Sequence, residues 1–128
     1  MEYYKPKKIF IVDDDAMLTE ALSDYLTRKV LNQVSSFQTG EECLKHLSEM
    51  PDIVVLDYYL NSVQKDAANG LEILQAIHKH NPNTQVIMLS NQEKYSTALK
   101  SIQSGAVQYV IKDEEAFEKI AALIQQIP

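Results

Sequence analysis

Residues 53–57 read Ile-Val-Val-Leu-Asp, a run of four apolar residues that ends in a carboxylate. Short uninterrupted apolar runs rich in β-branched residues are typical of strands buried on both faces, as in parallel sheets. Pro51 stands two residues before the run and is expected to break the preceding helix. The segment therefore predicts a buried central strand with Asp57 at its carboxyl end.

Similar short apolar runs recur along the chain, at residues 9–12, 86–89 and 107–111, with a weaker strand at 33–37. Segments with apolar residues at helical spacing follow each run, the first of them carrying Leu18, Leu22 and Leu26. An order of strand then helix, repeated five times, predicts an α/β fold: a doubly wound five-stranded parallel sheet with helices on both faces. With no internal repeat or linker, residues 1–128 are expected to form a single domain.

Composition excludes several classes of protein. The 128 residues are 45% apolar, carry a net charge of −6 and include one cysteine, Cys43. Nucleic-acid binders usually neutralise phosphates with a basic stripe, so nucleic acid is not an expected partner. A single cysteine excludes a disulfide framework, and no apolar run approaches the ~18 residues of a membrane span. The composition predicts a soluble, cytoplasmic protein.

Polar side chains follow the four best predicted strands: residues 13–15 (Asp-Asp-Asp), Asp57, Ser90 and Lys112. Ligands of parallel α/β sheets bind at the carboxyl ends of the strands, so these groups should share one rim. Two carboxylates ~5 Å apart repel by about 3 kcal/mol at an effective dielectric near 20, a penalty that a divalent cation removes. An all-oxygen ligand set suits Mg²⁺, while Lys112 and Ser90 suit an anion. The set predicts phosphoryl-transfer chemistry with one aspartate as nucleophile.

Each group also has a purely structural interpretation. Residues 13–15 could cap a helix, where acids are favourable at the dipole. Asp57 could be a turn residue, Ser90 a cap and Lys112 a solvated strand end. For each group alone, the structural interpretation is as good as the functional one. A functional site is favoured because such groups occur at the ends of all four strands.

These segments together resemble the receiver domain of two-component response regulators, over nearly the whole chain. The matching motifs are residues 11–15 (Ile-Val-Asp-Asp-Asp), 53–57, 86–90 (Val-Ile-Met-Leu-Ser) and 105–112 (Gly-Ala-Val-Gln-Tyr-Val-Ile-Lys). The resemblance implies the flavodoxin-like receiver fold of the chemotaxis regulators. It also implies a receiver domain over residues 1–128, with no output domain in this chain.

The resemblance implies a phosphoacceptor site. Asp57 would accept a phosphoryl group from a histidine kinase, a histidine phosphotransfer protein or a small phosphodonor, forming an acyl phosphate. Asp13, Asp14, Asp57 and the backbone carbonyl of Tyr59 would hold Mg²⁺, or alternatively Mn²⁺, with Asp15 as a helix cap. The domain would catalyse only its own phosphorylation and dephosphorylation.

The resemblance also implies a switch. Ser90 and Lys112 would stabilise the phosphoryl group, and Ser90 and Tyr109 would move on phosphorylation. Their movement would remodel the face formed by the fourth helix, fifth strand and fifth helix. That face would bind a downstream effector or a second copy of the chain. No nucleic acid or membrane is expected as a partner of this domain.

Some positions depart from the family pattern. The loop from Asp57 to Gly70 is longer than usual, with Asn61 where proline is common and an inserted charged segment at 64–66. Asp113, not proline, follows Lys112. Two positions that tune phosphoryl lifetime in the family are Tyr59 and Gln92 here, and the bulky Tyr59 side chain is expected to shield the acyl phosphate from water.

Two rival interpretations remain. Residues 13–15 contain the Asp-x-Asp order of haloacid-dehalogenase-type phosphatases, but Met17 stands where threonine or valine is usual there and Asp57 would have no role. An inert interaction module with the same fold is the other rival, against which the complete set of acids, Ser90 and Lys112 argues. Nucleotide binding is disfavoured, because the three glycines form no phosphate-binding loop.

Overall fold

The computed structural model describes residues 5–28, 31–60, 69–91 and 94–128. Five parallel strands form one sheet in the order β2-β1-β3-β4-β5. The strands are β1 (Lys8–Val12), β2 (Gln33–Phe37), β3 (Ile53–Asp57), β4 (Gln85–Ser90) and β5 (Gln108–Ile111). The predicted doubly wound parallel sheet is confirmed.

A helix follows each strand. These are α1 (Ala16–Thr27), α2 (Gly40–Lys45), α3 (Gly70–His80), α4 (Tyr95–Gln103) and α5 (Ala116–Gln126), with a short 3-10 turn at Leu47–Glu49. Among the described helices, none has the length and apolar character needed to cross a bilayer.

Each face of the sheet buries its own apolar cluster. Phe10 and Leu56 pack with Leu74 of α3 and with Cys43 of α2 on one face. On the other face, the alternate strand residues pack against α1 and α5. Side chains of successive strand residues point to opposite faces, so a strand buried on both sides has a continuous apolar sequence. Residues 53–57, all buried, show this pattern.

The strand register places the predicted rim. Val12 pairs with Leu56, so the residues that follow β1 lie beside Asp57 at the end of β3. Ser90 pairs with Ile111, which places Lys112 next to the end of β4. Parallel pairing thus brings the polar strand ends to the same edge of the sheet.

The second helix is shorter than the sequence predicts. It ends at Lys45, and Leu47 lies in the 3-10 turn that follows. The chain reverses at Met50, whose φ of 57° is left-handed, so the helix stops before Pro51 acts on it. His46 therefore caps α2 instead of lying within it, and its Nδ1 is 2.7 Å from Glu49 Oε2.

The apolar residues that mark the fourth helix face outward. Tyr95, Leu99 and Ile102 are 78%, 41% and 44% exposed, whereas Thr97 and Ser101 are buried. Burial of Ser101 is tolerated because its hydroxyl donates to the Thr97 carbonyl one turn earlier, at 2.9 Å. Gly105, which follows α4, has a left-handed φ of +112°, a conformation that favours glycine.

Candidate functional site

Three aspartates meet at the carboxyl edge of the sheet. Carboxylate oxygens of Asp13, Asp14 and Asp57 lie within 4.8 Å of one another. Asp13 is fully buried, Asp57 is 4% exposed and Asp14 is half-buried. The acids predicted from the first and third strands therefore converge on one small volume.

Asp13 is held rigidly, and one of its oxygens lacks a hydrogen bond. Its N–H donates to Phe37 O at 3.1 Å, and its Oδ1 accepts the Asp15 N–H at 2.9 Å. Its buried Oδ2 accepts no hydrogen bond of acceptable geometry from the described residues. The Lys112 ammonium, with Nζ 2.9 Å away, supplies this oxygen with charge compensation.

Lys112 lies between the two buried acids. Its Nζ is 2.9 Å from Asp13 Oδ2 and 3.5 Å from Asp57 Oδ1. The Lys112 N–H donates to Ser90 O at 2.8 Å, which fixes the start of the side chain at the end of β4. Burial disfavours the ammonium charge, but Asp13 and Asp57 more than offset this effect and raise the pKa of Lys112. Lys112 is thus charged and is the internal cation of the cluster.

Asp57 lies where a negative charge is unfavourable. Burial, followed by the negative charge of Asp13, raises its pKa to about 7, although Lys112 and the Tyr59 N–H act in the opposite direction. One lysine therefore does not neutralise the three carboxylates. In the metal-free protein, the negative charge on Asp57 is therefore unfavourable.

The donor set fits a hard divalent cation. It consists of carboxylate oxygens, one of them buried without a hydrogen bond, and such groups are the preferred ligands of Mg²⁺. Burial is the main cause of the raised Asp57 pKa, and a divalent charge would relieve the repulsion from Asp13 that adds to it. The chemistry and charge of the cluster thus agree with the predicted metal site.

Tyr59 lies against the Asp57 carboxylate. Its N–H donates to Asp57 Oδ1 at 3.2 Å, and the residue is 39% exposed. The ring packs edge-on against Tyr58, with centroids 4.8 Å apart. The other predicted lifetime position, Gln92, lies outside the described residues, as do Asn61 and the inserted segment 64–66.

Ser90 and Tyr109 form a pair beside the aspartates. Ser90 is fully buried at the end of β4, and Tyr109 is half-buried on β5. Burial raises the pKa of the Tyr109 hydroxyl, and its hydrogen bond with Ser90 offsets part of the rise. The two predicted switch residues are therefore in direct contact.

Asp15 is the N-cap of α1, as the sequence predicts. Its Oδ1 accepts the N–H groups of Met17 and Leu18, at 3.1 and 3.2 Å. The side chain is thus engaged with the helix, which separates its role from that of Asp13 and Asp14.

Sequence reasoning missed the capping box at the start of the third helix. Asn69 and Glu72 form a reciprocal capping box, and Gly70, the first helical residue, lies against the main chain of Asp57 and Tyr58. The spacing Asn-x-x-Glu before an apolar run was the available signal, since polar residues at these positions commonly start a helix.

Comparison with known proteins gives a consistent result. Residues 9–125 match the family model described as response regulator receiver domain. The chain is 32% identical to the probable C4-dicarboxylate response regulator DctR of Bacillus subtilis, over 96% of this chain and 56% of that protein. It is 26% identical to the chemotaxis protein CheY of Thermotoga maritima, over 91% of this chain and 94% of that protein.

Solved structures of receiver domains have the same fold as this chain. The BeF3-activated receiver domain of DrrB superposes with a TM-score of 0.83 at 32% identity, covering 96% of this chain and 97% of that chain. The chain thus spans about half the length of DctR but nearly all of CheY and of the DrrB receiver domain.

Proposed function

The chain belongs to the response regulator receiver domain family of two-component systems, and on this premise we propose that Asp57 is its phosphoryl acceptor. The observation that carries the proposal is the convergence of Asp57 with Asp13, Asp14 and Lys112 at one strand edge. The expected donors are a histidine kinase, a histidine phosphotransfer protein or a small molecule such as acetyl phosphate.

The reaction is a displacement at phosphorus. A carboxylate oxygen of Asp57 attacks the phosphorus, a new O–P bond forms, and the bond to the donor breaks, with its electron pair leaving on the donor. The product is an acyl phosphate on Asp57. Lys112, already 3.5 Å from Asp57 Oδ1, is placed to pair with a phosphoryl oxygen.

Asp13, Asp14, Asp57 and the Tyr59 carbonyl would hold Mg²⁺, with Mn²⁺ as an alternative. When bound, the ion supplies positive charge that offsets the repulsion between carboxylates and phosphoryl oxygens. Asp13 would ligate through its buried Oδ2, which makes no hydrogen bond of acceptable geometry within the described part of the chain.

The contact between Ser90 and Tyr109 can transmit a conformational change from the site to the surface. A serine hydroxyl both donates and accepts, so Ser90 can donate to a phosphoryl oxygen while it accepts from the Tyr109 hydroxyl. Phosphorylation would then draw both side chains towards Asp57. Movement of Tyr109 on β5 changes the neighbouring surface of α4 and α5.

That surface, α4-β5-α5, is the proposed partner-binding face. Tyr95, Leu99 and Ile102 of α4 and Val107 before β5 are exposed apolar side chains. Clusters of exposed apolar residues mark interaction sites on soluble proteins. A downstream effector or a second copy of the chain is the proposed occupant.

In this proposal the chain is one receiver domain located in the cytoplasm. It catalyses only its own phosphorylation and dephosphorylation and does not act on other substrates. Family membership supports it, since the signalling role of the family does not require an active site for a further substrate.

Intact-mass measurement after incubation with Mg²⁺ and acetyl phosphate tests the proposal. One phosphoryl adduct is expected in the wild type, and none in Asp57→Asn or with excess chelator. A phosphoryl adduct that still forms in Asp57→Asn would show that another residue is the acceptor. Steady hydrolysis of a phosphomonoester, retained in Asp57→Asn but lost in Asp13→Asn, would support the phosphatase alternative instead.

Tyr59→Ala is expected to shorten the lifetime of the acyl phosphate. Tyr59 is partly exposed and its main chain contacts the Asp57 carboxylate, so removing its ring should admit water, and we expect roughly threefold faster decay. Decay of the purified phosphoprotein is followed by intact mass, with Tyr95→Ala, an exposed tyrosine on α4, as the control. Equal lifetimes for Tyr59→Ala and the wild type would discard the shielding role.

A further inference from the structure

The peptide that follows Asp57 is held from two sides. The Tyr58 N–H donates to Leu89 O of β4 at 3.0 Å. The Tyr58 carbonyl accepts the Gly70 N–H, from the first residue of α3, at 2.8 Å. The chain leaving the acceptor strand is therefore fixed by the neighbouring strand and by the start of a helix.

Contact between Gly70 and this peptide leaves no room for a side chain. A Cβ on Gly70 would lie 2.7 Å from Tyr58 Cα and 3.0 Å from Asp57 C, and it would overlap Asp57 O. Cβ atoms essentially never approach other heavy atoms to within 3.0 Å. The obstructing atoms belong to the main chain, so a rotamer change cannot relieve the overlap.

The helix is also prevented from moving away. Asn69 Oδ1 accepts the Glu72 N–H at 3.0 Å, and Glu72 Oε1 accepts the Asn69 N–H at 3.2 Å, which fixes where α3 begins. Ile73, Leu74 and Ile77 anchor the same helix in the core. A side chain at position 70 must therefore displace the peptide between Asp57 and Tyr58.

That peptide leads directly into the proposed metal site. The Tyr59 N–H orients the Asp57 carboxylate at 3.2 Å, and the Tyr59 carbonyl is a proposed metal ligand. We propose that Gly70 is a positioning residue for metal binding and phosphoryl acceptance. Because Gly70 has no side chain, α3 can approach and hold the peptide that joins Asp57 to Tyr58. This inference rests on the proposed function.

Gly70→Ala is expected to weaken Mg²⁺ binding by about tenfold and to slow adduct formation similarly, since misplacing reactive groups by ~1 Å costs up to about a hundredfold. Mg²⁺ affinity is measured by calorimetric titration of the full chain without a phosphodonor. Initial rates of adduct formation are measured by intact mass at saturating Mg²⁺.

Gly40→Ala is the matched control. Gly40 is the buried first residue of α2, and a Cβ there would overlap the buried Ile73 side chain and not the main chain that leaves Asp57. Gly40→Ala should therefore reduce the melting temperature but keep wild-type Mg²⁺ affinity. If Gly70→Ala reduces only stability, as this control does, Gly70 has a packing role and the inference is overturned.

Should Gly70→Ala fail to fold, Asn69→Ala takes its place, since it loosens the start of α3 without adding a side chain at position 70. About threefold weaker Mg²⁺ binding is expected from the frayed first turn; wild-type affinity would overturn the inference. A wild type that binds Mg²⁺ but forms no adduct would overturn the proposed function and leave the Mg²⁺ comparison between Gly70→Ala and Gly40→Ala valid.

Discussion

Asp57→Asn stabilises the metal-free protein above pH 8 by up to about 4 kcal/mol, the expected consequence of the Asp57 pKa near 7. The ordinary value for an aspartate is 3.8, so the folded state binds a proton that the unfolded state releases between these two values. Stability of the wild type therefore falls as pH rises from about 4 through 7. Asparagine carries no charge, and this loss disappears.

The measurement is the free energy of unfolding by urea, in chelator, at several pH values. The difference between Asp57→Asn and wild type should be small near pH 4, grow through neutrality and level off above pH 8. Asp113→Asn, at an exposed carboxylate, makes the same change in net charge. It should alter stability by less than about 0.5 kcal/mol at every pH.

Saturating Mg²⁺ should reverse the order of stability. Ligands that bind only the folded state stabilise it by mass action, and Asp57→Asn lacks one of the proposed metal ligands. A pH-independent difference between the two proteins, or a less stable Asp57→Asn in chelator, would show that Asp57 does not carry the repulsion inferred for it.

The alternation of strands and helices could be read from the sequence because the core residues of this sheet are nearly all apolar. Residues 53–57 and 86–89 are continuous apolar runs apart from Asp57, and the structure buries them all. Parallel topology then required the strand ends to share an edge. The meeting of Asp13, Asp57 and Lys112 followed from topology without knowledge of side-chain packing.

Elements that depend on tertiary contacts could not be read in the same way. The fourth helix has a good apolar stripe, yet the fold buries Thr97 and Ser101 and exposes Leu99. A stripe indicates a helix, but it does not say whether the core or a partner covers it. The role of Gly70 likewise depends on how closely α3 approaches Tyr58, a distance that spacing in the sequence does not contain.

The partner of Lys112 is a further feature that only coordinates reveal. Sequence reasoning paired this lysine with an anion on the metal, whereas in the structure its Nζ is closer to Asp13 Oδ2 than to Asp57 Oδ1. Both oxygens belong to proposed metal ligands. The Lys112 ammonium therefore supplies the positive charge that a bound cation would otherwise supply to these oxygens.

Lys112→Met is accordingly expected to strengthen Mg²⁺ binding by about 10- to 100-fold. Two unit charges about 4 Å apart interact by about 4 kcal/mol at an effective dielectric near 20, and the divalent charge of Mg²⁺ doubles this, so Lys112 opposes binding by up to about 8 kcal/mol. Part of this gain is lost, because removing Lys112 also removes a charge that lowers the Asp57 pKa, so protons compete more strongly for the site. Calorimetric titration at pH 8.5 reduces this competition.

The same substitution should slow formation of the phosphoryl adduct, since Lys112 is proposed to pair with the phosphoryl oxygens. Lys119→Met is the control, because Lys119 is an exposed lysine whose Nζ lies 3.7 Å from Asp113 and 3.8 Å from Glu115, at the surface. It makes the same change in net charge and should leave both quantities near wild type. Tighter Mg²⁺ binding with slower phosphorylation would separate two roles of Lys112: it competes with the metal before the reaction and holds the phosphoryl group after it. Weaker or unchanged Mg²⁺ binding in Lys112→Met would refute the competition, because a lysine that supports the metal-binding geometry gives the opposite sign.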